Sequence, residues 1–388
     1  MADMSPLTAR LGAARAQTDA LFQLLDPRAL YERPVAERHR LIFYVGHLEA
    51  FDGNLMLRRE LARPAFDPEL DRLFAFGIDP EPGCEPSDRP EDWPREEQVR
   101  RYVDRQRAEL DDSLYGVPEQ LVNVAIEHRL MHAETLAYLV HNLPYQQKRG
   151  PVPVPPTVPV VRDALPNTMV EIPAGEVLLG RERGNGFGWD NEFERQRIEV
   201  PAFRITRFKI TNGEYLGFVR AGAAAPYFWT ERDGRWWLRA MFGEIPLPLD
   251  WPVYVSHSEA EAFARWRGGV LPTEQQYQRA AEGAEPVNAD FANWDPVPVD
   301  VVGGRSRHGI EQPVGNGWEW TSTIFAPLPG FEPFDFYPGY SADFFDGKHW
   351  VLKGGSPRTA ACMLRPSFRN WFRADYPYVY AGFRVVGK

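Results

Sequence analysis

The sequence of 388 residues has very few cysteines, Cys84 and Cys362. Two thiols in a chain of this length cannot form a disulfide framework, which fits a reducing compartment. The chain also lacks a basic start followed by an apolar stretch, and no apolar run is long enough to cross a bilayer. These absences predict a cytoplasmic protein without a membrane partner.

Blocks of basic residues and internal repeats are missing as well. The net charge is -10 and is spread along the chain, which argues against nucleic acid or an anionic membrane surface as a partner. The lack of a fixed repeat period excludes a solenoid or a propeller. Apolar residues (44%) and aromatic residues (13%) are abundant, so the chain can bury a large core. Its length favours two domains, and we expect small-molecule partners.

The domain boundary is predicted at residues 151–165, where "PVPVPPTV" begins a stiff, proline-rich linker. Residues 1–150 contain four long stretches with helical periodicity. Residues 166–388 contain short β-prone runs such as "RIEVPAFRITRFKITNGEYL", and only "SEAEAFARWRG" and "TEQQYQRAAEGA" have helical patterns there. We therefore predict an α+β protein of two domains, with a four-helix bundle followed by an irregular α+β domain.

The last predicted helix of the bundle contains two histidines four residues apart, in "AIEHRLMHAETLAYL". His128 and His132 share a stripe with Leu121, Ala125 and Leu139, so both rings are expected to face the bundle interior. A single inward histidine is usually a core residue satisfied by a hydrogen bond. Two at this spacing direct two ring nitrogens into one cavity, as helix-borne metal sites do.

A third candidate ligand is His47 on the second helix, in "FYVGHLEAFD". Three neutral imidazoles around a divalent metal leave coordination positions open, which suits a substrate heteroatom and O₂ better than structural zinc. The metal is not determined by these residues, because imidazole accepts zinc, iron, nickel and copper alike.

This histidine pattern on a helical bundle resembles the DinB-like domain of the ergothioneine and ovothiol sulfoxide synthases. The second half resembles the formylglycine-generating-enzyme-like (sulfatase-modifying factor) domain, a variant of the C-type lectin fold. Its matching blocks occur in order and include "MVEIPAGEVLLG", "LPTEQQYQRAA", "GNGWEWTST" and "VLKGGSPRTAACMLRPSFRN". The segment "FGWDNEFERQRIEVPAF" is similar to one found in the synthases. The resemblance assigns residues 1–150 and 166–388 to these two domains.

The resemblance implies that His47, His128 and His132 ligate a mononuclear non-haem iron, Fe(2+). The family uses O₂ to join a sulfur or selenium donor to C2 of the imidazole ring of hercynine. Asn370 and Trp371, in "RNWF", match the positions that hold the trimethylammonium group of hercynine. A quaternary ammonium has no donor hydrogen, so an aromatic face and a carbonyl dipole can recognise it.

A tyrosine of the family that donates a proton or hydrogen falls in the segment "FDFYPGYSADFF". Tyr337 is the best match and Tyr340 the next. The alternative is that both tyrosines simply pack in a loop.

Three departures from the family pattern concern the donor substrate. Phe372 stands where synthases that use γ-glutamylcysteine have an aspartate, and Met131 stands where glutamine is common. The arginines that bind donor carboxylates have a loose counterpart in Arg89, with Arg95 and Arg105 as further candidates. A donor without amino-acid charges is favoured, so the main hypothesis is a selenoneine synthase that uses a selenosugar. An ergothioneine-type synthase using cysteine or γ-glutamylcysteine is the alternative.

Two hypotheses from other classes remain. A DinB-type thiol transferase would use the same histidines to bind zinc and activate a thiol. A non-enzymatic module would bind a ligand through the lectin-like domain. Formylglycine generation is excluded, since that reaction needs two cysteines in this domain and only Cys362 is present.

Overall fold

The computed structural model describes residues 5–78, 86–150 and 166–387. The chain divides into two compact units, Met1–Val152 and Pro153–Lys388. The predicted linker at 151–165 and Cys84 lie outside the described residues. No helix in these three ranges has both the length and the apolar character needed to cross a membrane.

The described part of the first unit contains five α-helices. They are α1 Ser5–Gln23, α2 Leu41–Asp52, α3 Pro68–Phe76, α4 Glu96–Asp111 and α5 Glu119–Asn142. Helices α1, α2, α4 and α5 are the four predicted ones, and α2 continues as a wider π-helical stretch, Gly53–Glu60. The short α3 was not predicted. It begins where the Asp67 carboxylate accepts a hydrogen bond from the backbone N–H of Leu70 at 3.0 Å.

Helices α2 and α5 form the centre of this unit and are buried on nearly all sides. Ten of the twelve residues of α2 are buried, and α5 buries long apolar side chains such as Leu121, Leu136 and Leu139. Helix α5 packs against α1, while α2 packs against α3 and α4. Polar side chains on α2 and α5 are therefore held in a largely apolar interior, where each needs a partner or a function.

The described part of the second unit is built on two four-stranded sheets, a hairpin and a three-stranded sheet. The strands of the first sheet are, in order, β1 Met169–Ile172, β4 Phe203–Thr206, β13 Val386–Gly387 and β8 Gly269–Val270. Those of the second are β11 Asn370–Arg373, β10 His349–Lys353, β9 Trp318–Ile324 and β12 Ala381–Gly382. The hairpin is β2 Gly175–Leu179 with β3 Gln196–Val200, and the third sheet is β5 Trp229–Arg232, β6 Arg235–Arg239 and β7 Glu244–Pro246. The prediction of an α+β protein of two domains is confirmed.

The described helices of the second unit are short, and three of them begin with the same local motif. They are α6 Asn212–Arg220, α7 His257–Trp266, α8 Glu274–Ala280 and α9 Gly339–Ala342. In α6, α7 and α8 a Ser or Thr before the helix and a Glu or Gln three residues later cap each other reciprocally, in the pairs Thr211 and Glu214, Ser256 and Glu259, and Thr273 and Gln276. The start of each helix is therefore encoded locally.

Helix α6 corrects one sequence prediction. The β-prone run of residues 197–216 contains most of β3 and all of β4, but its last part is helical. The Thr211 hydroxyl accepts the backbone N–H of Glu214 at 3.2 Å, and the Glu214 carboxylate accepts the backbone N–H of Thr211 at 3.0 Å. The capping motif outweighs the β-branched residues in front of it.

Candidate functional site

His47 on α2 and His128 and His132 on α5 form one cluster. A ring nitrogen of each lies within 4.8 Å of the others, and the Nε2 atoms of His47 and His132 are 3.2 Å apart. His128 is buried, whereas His47 and His132 each keep a partly exposed surface. The structure thus brings together the three histidines selected from the sequence.

The orientation of His47 is fixed by a backbone group of α3. Its Nδ1–H donates to the carbonyl oxygen of Phe74, with 2.7 Å between the two atoms. Because a carbonyl can only accept, the Nδ1 atom carries the proton and the Nε2 atom keeps its lone pair. Metal-binding histidines are commonly oriented in this way by a hydrogen bond from the other ring nitrogen.

Two phenylalanines of α2 hold the imidazole planes. The ring of Phe51 stacks on His128 with 3.5 Å between centroids and 12° between planes. The ring of Phe43 stacks on His47 with 4.7 Å between centroids and 24° between planes. Phe43, His47 and Phe51 recur every four residues and therefore lie on one face of the helix.

Burial keeps the three imidazoles neutral at physiological pH. Loss of hydration lowers the pKa of His47 to about 4. Burial also lowers the pKa values of His128 and His132 well below their usual range, and the mutual repulsion of the rings adds to this. Neutral imidazole is the form that binds a metal.

The cluster fits a transition-metal ion. Three nitrogens that each lie about 2.1 Å from one metal are about 3.0 to 3.4 Å from one another. The distance of 3.2 Å between the Nε2 atoms of His47 and His132 falls within that range. Imidazole ligands suit zinc, copper, iron and nickel, so the fit extends to iron(II) without selecting it.

In the second unit, Trp371 lies in an aromatic cluster. Its ring stacks on Phe325 with 4.2 Å between centroids and 8° between planes. The ring of Tyr340 meets Trp371 at a steep angle, with 5.4 Å between centroids, and Tyr340 itself stacks on Trp189 at 3.9 Å. Trp371 thus keeps its orientation through aromatic contacts while remaining partly exposed.

The two predicted tyrosines differ in their surroundings. Tyr340 is only 8% exposed and has one ring face covered by Trp189. Tyr337 lies 5.5 Å from Tyr340 between ring centroids and is partly exposed. Burial raises the pKa of Tyr337, and the nearby carboxylates of Asp343 and Asp190 raise it further, so its hydroxyl stays protonated. Of the two side chains, Tyr337 is the more accessible to a small molecule.

Strand β11 separates the substrate-binding candidates onto two faces. Successive side chains of a strand point to opposite sides, so Trp371 faces away from Asn370 and Phe372. The Asn370 Oδ1 atom accepts the backbone N–H of Trp371 at 2.9 Å. Phe372 stacks on Tyr376 with 5.2 Å between centroids and 10° between planes. The position of the family's aspartate is therefore part of an aromatic pair.

The residues proposed for the donor substrate are more scattered. Met131 precedes His132 and is partly buried. The side chain of Arg89 is 74% exposed and lies 3.4 Å from the Asp92 carboxylate. Arg105 is exposed, with its guanidinium 4.2 Å from the ring centroid of Phe66. Arg95 is also exposed, and within the described ranges no contact joins Arg89 to the histidines.

One buried ion cluster of the first unit was missed by the sequence analysis. Arg129, next to His128, is 1% exposed and binds Glu49 and Asp52 on α2. The sequence does show charged residues on helices that are otherwise apolar. It does not show which of them pair, because the partners are about 80 residues apart in sequence.

A second missed residue is Glu192, in the segment "FGWDNEFERQ". It is completely buried. Its carboxylate accepts hydrogen bonds from Arg365 at 2.9 and 2.5 Å and from the Ser367 hydroxyl at 2.6 Å. These contacts hold its pKa below the usual range although burial opposes that shift. The segment is therefore anchored to the chain immediately before β11.

Comparisons with known proteins agree with this organisation. Residues 157–388 match the family described as sulfatase-modifying factor enzyme 1-like domain, and residues 10–141 match the DinB superfamily. Ergothioneine biosynthesis protein 1 of Schizosaccharomyces pombe is 30% identical, with 94% of this chain and 54% of that protein covered. Hercynine oxygenase of Mycolicibacterium smegmatis is 33% identical, with 74% of this chain and 77% of that protein covered.

Ergothioneine biosynthesis protein 1 of Neurospora crassa is 28% identical, with 94% of this chain and 55% of that protein covered. The chain therefore spans about half the length of the two fungal relatives. The similarity to each of them extends over both units.

Proposed function

This chain belongs to the sulfatase-modifying factor enzyme 1-like domain family, and we propose that it is an iron(II)-dependent enzyme that uses O₂ to join a sulfur donor to C2 of the hercynine imidazole. The observation that carries the proposal is the cluster of His47, His128 and His132, whose ring nitrogens lie within 4.8 Å of one another. The names of the fungal and mycobacterial relatives support the choice of substrate.

The proposed reaction balances with O₂ as the single oxidant. The C2–H bond of hercynine and the S–H bond of the donor break, and a C–S bond forms. Formation of the C–S bond and oxidation of sulfur to the sulfoxide each remove two electrons. O₂ accepts all four, so one oxygen atom ends in the S=O group and the other leaves in water.

In the first unit, the three histidines would hold the iron, and bound iron would supply the activation of O₂. The Phe74 carbonyl keeps His47 in the tautomer that presents Nε2. Phe51 and Phe43 fix two of the rings and cover the apolar side of the cluster. Met131, beside His132, is assigned to the wall that contacts the hercynine ring.

In the second unit, Trp371 is assigned to the trimethylammonium group, and Asn370, whose side chain leaves the opposite face of β11, is assigned to holding Trp371 in place. The Trp371 ring offers a π face to the cation, and contacts of this kind contribute about 0.5 to 2 kcal/mol. The Asn370 carboxamide oxygen already accepts the N–H of Trp371, which fixes the side chain. Tyr337 is assigned as the residue that holds a proton for the reaction, with Tyr340 supporting it through ring contact.

The donor is assigned as a thiol because the two fungal relatives are named for ergothioneine biosynthesis. Arg89 is the candidate that binds the carboxylate of this donor. A selenosugar is the second candidate donor, and the stacking of Phe372 on Tyr376 favours it. An aromatic pair offers no counterion for the ammonium group of an amino acid, whereas an uncharged donor needs none.

The test is a competition assay analysed by mass spectrometry. The protein is loaded with iron(II) and supplied with hercynine, O₂ and an equal mixture of cysteine, γ-glutamylcysteine and the selenosugar. A hercynine sulfoxide carrying one of the two thiols is the expected product. If the only product is a selenium adduct of hercynine, the enzyme would instead be assigned as a selenoneine synthase. Absence of any hercynine adduct would overturn the proposal in favour of a thiol transferase or a binding module.

Variants of helix α5 provide the matched control. His128→Ala and His132→Ala are expected to abolish both iron binding and product formation. His141→Ala removes a buried histidine from the same helix outside the cluster, and it is expected to retain both. All three should keep the helical circular dichroism of the wild type, so that loss of metal is separated from loss of fold.

A further inference from the structure

The buried Arg129 connects the two helices that carry the histidines. From α5, its Nη1 atom donates to the Glu49 carboxylate at 2.9 Å. Its Nη2 atom donates to the backbone carbonyl of Leu48 at 3.0 Å and to the Asp52 carboxylate at 2.7 Å. All three acceptors belong to α2. One guanidinium therefore spans more than a turn of the neighbouring helix.

These contacts alternate along the chain with the contacts of the metal cluster. Arg129 follows His128 directly, and Leu48 follows His47. Phe51, which stacks on His128 at 3.5 Å, precedes Asp52. The same short stretches of α2 and α5 thus carry metal ligands on one side and the ion cluster on another.

The geometry of the ion cluster fixes two degrees of freedom between the helices. Contacts to residues 48, 49 and 52 hold α2 against sliding along its axis, where one turn is about 5.4 Å. They also hold it against rotation, because neighbouring helix positions are about 100° apart. A planar guanidinium provides this restraint better than an ammonium, since its donors are fixed in a fork.

The cluster is anchored from outside the helix pair as well. Arg107 on α4 donates to Glu49 at 2.9 Å and to Asp19 on α1 at 2.7 and 2.8 Å. Glu49 and Asp52 are 2% and 1% exposed, so water does not compete for these bonds. In some proteins buried ionic groups specify the register of helices while adding little to stability.

We propose that Arg129 is a positioning residue for the metal centre: by holding α2 and α5 in one register, it sets the separation between His47 and the pair His128 and His132. This inference rests on the metal site of the proposed function. It adds a residue that touches neither metal nor substrate and acts through the helices that carry the ligands.

The test compares metal binding by the full-length wild type, Arg129→Lys and Arg58→Lys. Cobalt(II) is the probe, because its visible absorption reports ligand number and geometry directly. Arg58 is the matched control. It lies on the π-helical continuation of α2 and binds Asp71 on α3 and Glu109 on α4 at 3.2 Å. None of its described partners lies on α5, so it does not join α2 to α5.

Arg129→Lys is expected to weaken cobalt(II) affinity on the order of tenfold and to change the visible spectrum of the bound ion. Arg58→Lys is expected to keep the affinity within about threefold of the wild type and to leave the spectrum unchanged. This holds even if Arg58→Lys lowers the unfolding temperature as much as Arg129→Lys does. Wild-type affinity and spectrum in Arg129→Lys would overturn the inference. So would an equal loss in Arg58→Lys, since the effect would then follow stability alone.

Asp52→Asn serves as the second variant in case Arg129→Lys does not fold. It keeps the shape of the side chain but removes one charged acceptor of Arg129, and a smaller loss of affinity with a shifted spectrum is expected. Wild-type binding in that variant would contradict the inference. Failure of the wild type itself to bind cobalt(II) would instead contradict the metal site of the proposed function.

Discussion

The ring of Phe51 lies flat on the imidazole of His128, with 3.5 Å between centroids and 12° between planes. The contact restrains the plane of a candidate metal ligand through a residue that has no ligand atom. Phe51 is thus expected to influence metal binding through the orientation of His128.

Phe51→Leu is predicted to weaken metal affinity by between about 2-fold and about 10-fold, because an aromatic stack contributes about 0.5 to 1.5 kcal/mol beyond burial. Isothermal titration calorimetry with cobalt(II) measures the change. The control is Phe66→Leu, which removes a ring that contacts Tyr102 and Arg105 in the same unit. Equal effects in the two variants would contradict a specific role for the stack.

Trp371→Leu is predicted to raise the KM for hercynine between about 2-fold and about 30-fold, the range of a cation–π contribution of about 0.5 to 2 kcal/mol. Steady-state kinetics at saturating donor provide the measurement. Trp266→Leu, which alters a tryptophan that is 51% exposed, is expected to leave the KM unchanged. A Trp371→Leu enzyme with unchanged KM would remove this residue from the binding site.

Phe372→Asp is predicted to shift donor preference toward γ-glutamylcysteine by about tenfold in kcat/KM, since a carboxylate can form a charge-assisted hydrogen bond with its ammonium group. Phe372→Asn has the same size without the charge and should not produce the shift. The ratio of products from mixed donors measures the preference. An unchanged ratio in Phe372→Asp would place this side chain away from the donor.

The stability of the second unit is predicted to depend on the ionisation of Glu192. Arg365 and Ser367 hold its folded pKa below the ordinary value of 4.5. Between the two pKa values the unfolded chain binds more protons, so stability rises with pH. The contribution of the ionised carboxylate is therefore present above pH 4.5 and is lost as the pH falls through the folded pKa.

Urea unfolding followed by tryptophan fluorescence tests this, because Trp93 is the one tryptophan before residue 166. The stability difference between wild type and Glu192→Gln should be constant from about pH 5 to pH 7 and should shrink below the ordinary glutamate pKa. Glu194→Gln, two residues further on and 39% exposed, should differ little from wild type throughout. A Glu192→Gln difference that does not change with pH would contradict the assignment.

The sequence predicted the elements with long, regular periodicity and the residues whose chemistry is local. Helices α1, α2, α4 and α5 were found because their apolar positions recur at helical spacing. His128 and His132 were found because four residues on one helix place both rings on one face. His47 was selected by the same stripe argument and by the family resemblance.

Contacts between distant parts of the chain were not accessible in this way. The hydrogen bond from His47 to the Phe74 carbonyl depends on α3, a helix too short to give a clear periodic pattern. The ion pair between Arg129 and Asp52 joins residues 77 positions apart. In the second unit, the helical start at Thr211 was hidden because β-branched residues precede it.

The reciprocal caps of α6, α7 and α8 allow the loops of the second unit to vary in length. Each helix start is specified within four residues, by Thr211 and Glu214, Ser256 and Glu259, or Thr273 and Gln276. An insertion in a loop upstream leaves those four residues together, and lengthening a loop costs little conformational entropy. The connecting loops can therefore grow or shrink while each short helix still begins at the same residue.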